Sequence, residues 1–131
     1  MIERVFDTTI KKDFFKGKVI VLIGARQVGK TTVVKRLLKL QGVGAKYING
    51  DEADIYPLFK KPTSTQLKVL IGESKVLVVD EAHQIPNIGR ALKLIVDTFP
   101  KIQVLATGSS SFDIGNRVNE PLTGRKYEYM M

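Results

Sequence analysis

Apolar positions along the chain alternate between two spacings. Residues 18–24, KVIVLIG, form a short continuous apolar run rich in β-branched side chains and stopped by a glycine, the pattern of a strand buried on both faces. From Gly29 the spacing changes: Val33, Val34, Leu37 and Leu38 fall on one helical face, and Gly42 ends the run. Residues 45–49, AKYIN, predict a second strand, after which Pro57 and Pro62 break a variable stretch. Ser64 is expected to cap a helix that carries Leu67, Leu70 and Ile71. KVLVVDEAH at 75–83 predicts a strand ending in acids, and Ile88, Leu92, Ile95 and Val96 share a helix face after Pro86. IQVLATGSSS at 102–111 reads as a strand running into a polar turn, and KYEYMM at 126–131 as the start of one more. Upstream, Ile2, Val5, Phe6, Ile10, Phe14 and Phe15 predict an amphipathic helix over residues 2–15. Strands alternating with helices, with no repeat or long linker, argue for one α/β domain over residues 1–131 built on a parallel sheet with right-handed crossovers.

Composition narrows the class. The 131 residues are 44% hydrophobic and 26% charged, which is globular composition and not that of a disordered chain. With no cysteine, a disulfide scaffold and thiolate metal sites are excluded. The opening MIERVFDTTIKKDFF is charged throughout and lacks the apolar run of a signal peptide. No stretch approaches the ~18 apolar residues of a membrane span. The expectation is therefore a soluble, cytoplasmic domain with no membrane partner. Lys and Arg number 21 against 13 Asp and Glu, a formal charge of +8. Lys11, Lys12, Lys16 and Lys18 lie near the start, Lys35, Arg36 and Lys39 in the middle, Arg125 and Lys126 at the end. Because these cations are scattered, the charge reads as a solvated surface with some of it directed at an anionic ligand; nucleic acid stays open as a partner.

The anionic ligand has a recognisable seat. Gly24-Ala25-Arg26-Gln27-Val28-Gly29-Lys30-Thr31 is a complete G-x-x-x-x-G-K-[ST] string, lying between a predicted strand and a predicted helix. At average composition, chance would produce it in roughly one chain of this length in several hundred. Gly24 and Gly29 permit backbone angles that a Cβ would forbid, so consecutive N–H groups can turn inward around an anion. The helix starting near Lys30 adds the positive end of its dipole beneath the phosphates. Lys30 can reach the β- and γ-phosphates as a point charge, and the Thr31 hydroxyl can ligand Mg²⁺. Residues 24–32, Thr32 included, are the expected nucleotide-binding segment.

Asp80 and Glu81 supply the second half. Four apolar residues, Val76 to Val79, put Asp80 at the C-terminal end of a buried strand, where α/β sheets bind ligands. Asp80 can hold the Mg²⁺ shell, and Glu81 suits a general base for an attacking water. His83 completes the string DEAH, and with no second His or Cys to accompany it, a polar contact near the nucleotide or at a helix cap is favoured over metal ligation. Thr107-Gly108-Ser109-Ser110-Ser111 ends another strand, and one of these side chains, Ser109 or Ser110 first, is expected to sense the γ-phosphate or the lytic water. Asn49 and Asp51 are either site supports or turn formers. Arg26 is either a phosphate contact or a variable loop position, and Arg125 either a charge-stabilising arginine, in cis or across a subunit contact, or one more surface cation.

GARQVGKTT (24–32), VLVVDEAHQIPNIGRALKLIVD (76–97), VLATGSSSFDI (104–114) and EPLTGRKYEY (120–129) together resemble the prokaryotic AAA-like P-loop ATPases that usually carry a C-terminal domain of unknown function. The DEAHQIP, TGSSS and LTGR strings in this order are more specific than the first motif, which a vast superfamily shares. The resemblance implies a three-layer core with a five-stranded parallel sheet in the order 5-1-4-3-2. It implies ATP and Mg²⁺ as cofactors, Lys30, Thr31, Asp80 and Glu81 in the roles above, and Ser109 near the sensor position. Family members are typically longer and continue into a helical lid. The expectation is thus an N-terminal domain whose lid is absent and whose missing C-terminal domain is a partner, with a homo-oligomer also open. ATP is preferred over GTP through the family and because no N-K-x-D string is present. Rival readings are a nucleic-acid-dependent motor or helicase fragment, which would need further motifs, and a nucleotide-sensing module that does not hydrolyse.

Overall fold

The computed structural model describes residues 9–24, 30–42, 44–108 and 124–130, with the backbone alone at 30, 31, 40 and 41. Five parallel strands form one sheet: β1 (Val19–Ile23), β2 (Ala45–Asn49), β3 (Val76–Asp80), β4 (Gln103–Gly108) and β5 (Lys126–Met130). Their spatial order is β2-β3-β4-β1-β5, which is the expected 5-1-4-3-2 arrangement read from the other edge. The three inner strands are buried along almost their whole length, as their unbroken apolar runs predict. The two edge strands, AKYIN and KYEYM, carry Lys, Tyr and Glu and are half-exposed, which discourages pairing with a further strand.

Side chains of each inner strand point alternately to two separate cores, giving the expected three layers. On one face Val19, Val21, Ile23, Leu77, Val79, Val104 and Ala106 meet α4 (Ile88–Thr98), α3 (Ser64–Ile71) and α2 (Tyr56–Lys60). The apolar stripe of α4, Ile88, Leu92, Ile95 and Val96, is buried there as its spacing predicts. On the other face Ile20, Leu22, Val76, Val78 and Leu105 meet Val33, Val34, Leu37 and Leu38 of α1 (Lys30–Gln41), together with Ile10 and Phe14. Gly42 closes α1 at φ +64°, its N–H donating to Leu38 O at 3.0 Å, which is why the helix stops there.

Three local expectations are corrected. The cap of α3 is Thr63, not Ser64: the Thr63 hydroxyl oxygen accepts from Gln66 N–H at 3.2 Å, and Ser64 is already inside the helix. The stretch broken by Pro57 and Pro62 contains α2, because Pro57 stands in its first turn, where a missing N–H costs nothing, and Phe59 is fully buried beneath it. The helix expected over residues 2–15 persists only to Lys11 within the described residues; turns follow, and Phe15 adopts φ +60° with its N–H on Gln103 Oε1 at 2.6 Å. That buried Gln103 contact competes successfully with helix continuation, and residues 2–8 lie outside the described residues.

Candidate functional site

All strands run the same way, so their C-terminal ends form one edge of the sheet, and four of the predicted segments meet there. Asn49 is in register with Asp80, and Ile23 with Gly108. The N–H of Gly24 donates to Gly108 O at 3.1 Å, so the first residue of the phosphate loop emerges beside the end of β4. Lys30 and Thr31 begin α1, whose apolar stripe presses on β1 and β3, and Thr32 is exposed in its first turn. Ala25, Arg26, Gln27, Val28, Gly29 and the sensor candidates Ser109 and Ser110 lie outside the described residues.

Asp80 is half-buried at the end of β3 and is held on one side only. The buried Thr107 hydroxyl donates to its Oδ1, and Glu81 N–H reaches the same oxygen at 3.1 Å and Thr107 Oγ1 at 3.2 Å. Among the described residues no hydrogen bond takes Oδ2, so Oδ1 is the oxygen that holds the carboxylate in place. Register puts Tyr47 on the same face of the sheet; burial first, and the Asp80 charge second, push its phenol above the ordinary value. The sequence signal for Thr107 is a polar residue closing the apolar run VLAT, and its bond to Asp80 is set by strand register, which spacing alone does not show.

Glu81 turns the chain sharply. Its backbone is left-handed, φ +51° and ψ +44°, a conformation costing a non-glycine residue on the order of 1–3 kcal/mol unless its surroundings hold it. Those surroundings are visible. Gly50 N–H donates to Asp80 O at 2.6 Å, and a Cβ on Gly50 would lie 2.1 Å from Glu81 O, so only glycine lets β2 close on this turn. Tyr56 donates from its hydroxyl to Gly50 O at 2.8 Å and fixes the loop from outside. Gly50 looked like any glycine after a strand; its requirement comes from β2–β3 pairing, which sequence spacing does not reveal.

His83, 5% exposed in the short 3-10 turn after Glu81, brings Nε2 to 3.6 Å from Glu81 Oε2, with Gln84 Nε2 at 3.4 Å from the same ring nitrogen. It is thus a polar neighbour of the candidate base. Asn49 resolves as a turn former: its Oδ1 accepts from Asp51 N–H at 3.0 Å, and both residues are exposed. Arg125 is displaced from the site altogether. Its carbonyl accepts from Val19 N–H at 2.9 Å, and its guanidinium pairs with Asp97 at 2.9 Å. It sits where β1 and β5 begin, a full strand length from Asp80, which removes it as a cis arginine. Among the described residues, no cluster of three or more His, Asp or Glu is placed to hold a metal ion, and no helix is long and apolar enough to cross a membrane.

Comparison with known proteins agrees with this architecture. Residues 16–131 match the AAA domain family. Over 117 residues the chain is 30% identical to the uncharacterized protein Rv2008c of Mycobacterium tuberculosis and to the uncharacterized protein Mb2031c of Mycobacterium bovis. Those alignments cover 88% of this chain and 25% of each relative, so the chain spans about a quarter of their length. Among solved structures, the replication initiator DnaA bound to AMPPCP and single-stranded DNA superposes with a TM-score of 0.63 at 15% identity, covering 95% of this chain and 44% of that one. A Walker-type ATPase of Pyrococcus abyssi gives 0.59 at 15% identity, over 98% and 52%. At such identities the likeness is one of fold. The family match spans all five strands and both nucleotide motifs, and the chain therefore belongs to the AAA domain family as an AAA-like P-loop ATPase domain.

Proposed function

We propose that this domain binds Mg-ATP and hydrolyses it by attack of water on the γ-phosphate. The observation that carries the reading is the meeting of Asp80, Glu81 and Thr107 with Gly24 at one sheet edge, directly before the helix that Lys30 opens. Residues 24–32 would cradle the triphosphate through backbone N–H groups and the positive end of α1, with Lys30 on the β- and γ-phosphates.

The donor set fits Mg²⁺: a hydroxyl from Thr31 and the carboxylate of Asp80 are hard oxygen ligands, and among the described residues no cluster of three or more His, Asp or Glu makes a cage without phosphate. Mg²⁺ bound there would neutralise charge on the β- and γ-phosphates. Glu81 would take a proton from water as the water oxygen bonds to the γ-phosphorus and the bond to the β–γ bridging oxygen breaks, releasing ADP and inorganic phosphate. Ser109 would contact the γ-phosphate or that water. The cytoplasm is the compartment proposed for this activity.

The test is phosphate release from Mg-ATP by the wild type and by Glu81→Gln. General-base loss is expected to slow turnover by about 10²–10⁴-fold while leaving nucleotide affinity in place. Equal rates would remove Glu81 from the chemistry. ATP binding with no turnover by the wild type, even at high protein concentration, would replace hydrolysis with nucleotide sensing.

A further inference from the structure

The cations that look scattered in sequence are collected by the sheet. Every strand of a parallel sheet enters from the same pole, here the one opposite Asp80. The row across that pole is traced by hydrogen bonds. Lys75 N–H donates to Gly44 O at 3.3 Å and Gln103 N–H to Lys75 O at 3.0 Å. The Gln103 side chain donates to Lys18 O at 2.9 Å, and Val19 N–H to Arg125 O at 2.9 Å. Lys75, Lys18 and Arg125 therefore stand at the entrances of β3, β1 and β5, and Lys101 two residues before β4. Strands lie ~4.8 Å apart, so these cations spread over about 15 Å.

An aromatic ring is anchored in the same row. Phe15 is 41% exposed, yet its N–H is fixed on Gln103 Oε1 at 2.6 Å, and buried Phe14 supports it edge-on at 5.9 Å between ring centroids. Exposed Lys16 follows it. The opposing charges are few. Asp13 pairs with Lys16 at 3.4 Å and Asp97 with Arg125, and Glu73 is exposed in the turn before Lys75. The carbonyl ends of α1, α3 and α4 face this pole as well; Lys39 and Lys68 stand in the last turns of α1 and α3, and α4 has no basic residue in its last turn, with Lys101 following three residues after its end. Among the described residues no carboxylate pairs with Lys18, Lys75 or Lys101; Lys18 instead lies 4.9 Å over the Tyr127 ring.

We propose that this pole binds single-stranded nucleic acid, with the lysines on successive phosphates and Phe15 stacked on a base. A row of strand-entry cations beside an exposed ring with an anchored backbone fits a strand whose bases are free to stack. A duplex keeps its bases in its own stack, and a lipid surface offers charge without a stacking partner. The pole is separate from the nucleotide edge, so this inference stands or falls apart from ATP hydrolysis.

The test is fluorescence anisotropy of a labelled oligothymidine of about 16 nucleotides with the full chain, at about 50 mM and about 200 mM salt. The expected result is binding that weakens steeply with salt. Replacing Lys75 and Lys101 together by Ala should reduce affinity at least about tenfold and flatten the log–log salt slope by about 1–2. Phe15→Ala should cost about tenfold on the single strand and little on a duplex of equal length, and Phe15→Trp should restore it. An unchanged far-ultraviolet circular dichroism spectrum and melting temperature for each variant check the fold. Four results would overturn the proposal: no binding at low salt, binding indifferent to these substitutions, loss on Lys30→Ala instead, or tighter capture by phosphatidylserine vesicles than by the oligonucleotide.

Discussion

Thr107 and Gly50 do at the level of single atoms what the motif residues need done for them. Thr107 is 1% exposed and spends its hydroxyl twice, donating to Asp80 Oδ1 and accepting from Glu81 N–H. Thr107→Val keeps the shape and removes both bonds; the expected loss is about 1–3 kcal/mol in chemical denaturation, with Thr107→Ser losing less than half of that. A Val variant as stable as the wild type would mean that the bridge contributes nothing. Gly50→Ala forces a Cβ against Glu81 O and Asp80 O, both backbone atoms that cannot swing aside. It should cost at least about 2 kcal/mol and slow turnover as well, since the left-handed turn at Glu81 must move. An Ala variant within about 0.5 kcal/mol of wild type would show that the turn is soft. At this scale the sequence was legible where a residue type has one chemistry at a strand end, as with Asp80. It was silent where the requirement is set by a neighbouring strand, as with Gly50. The bond between Thr107 and Asp80 was hidden for the same reason: only strand register shows that Thr107 shares the face of Asp80.

Elements were read well where burial imposes a single period. The inner strands and the α4 stripe have one pattern each, and both lie where the spacing put them. Boundaries were harder, because a terminus is decided by one or two polar contacts. The start of α3 is the clearest case, where Thr63 and Ser64 are equally plausible caps by composition. Thr63→Ala is expected to lower stability by about 1 kcal/mol, and Ser64→Ala to stay within about 0.5 kcal/mol, in matched thermal or denaturant melts. The reverse ranking would return the cap to Ser64. The early end of the first helical turn has a similar origin. Gln103, fully buried at the opposite end of the chain from that helix, captures Phe15 N–H and Lys18 O with one side chain. No local signal in residues 2–15 announces a partner 88 positions away.

The whole molecule is polarised along the strand direction. One pole gathers the carboxylates of Asp80 and Glu81 and the opening of the phosphate loop; the other gathers strand-entry lysines, Arg125 and an anchored ring. A formal charge of +8 says only that anions are attracted, and the parallel topology divides that charge between two places. Arg125 illustrates the difference. Its neighbourhood in the chain, LTGRKYEY, belongs to the family resemblance, while its position at the start of β5 takes it away from the nucleotide edge. The strand order was legible only through the family resemblance, since alternating strands and helices give a parallel sheet without its order, and the pole of charge became visible only once five strands were aligned.

Every role proposed at the C-terminal edge of the sheet requires a working phosphate site there, and calorimetric titration of Mg-ATP tests for it most directly. The wild-type chain should bind, and Lys30→Ala, folded to the same extent by circular dichroism, should show affinity reduced by at least about a hundredfold, the loss of a charge-assisted phosphate contact. No binding by a folded wild type, or equal binding by the two proteins, would contradict it.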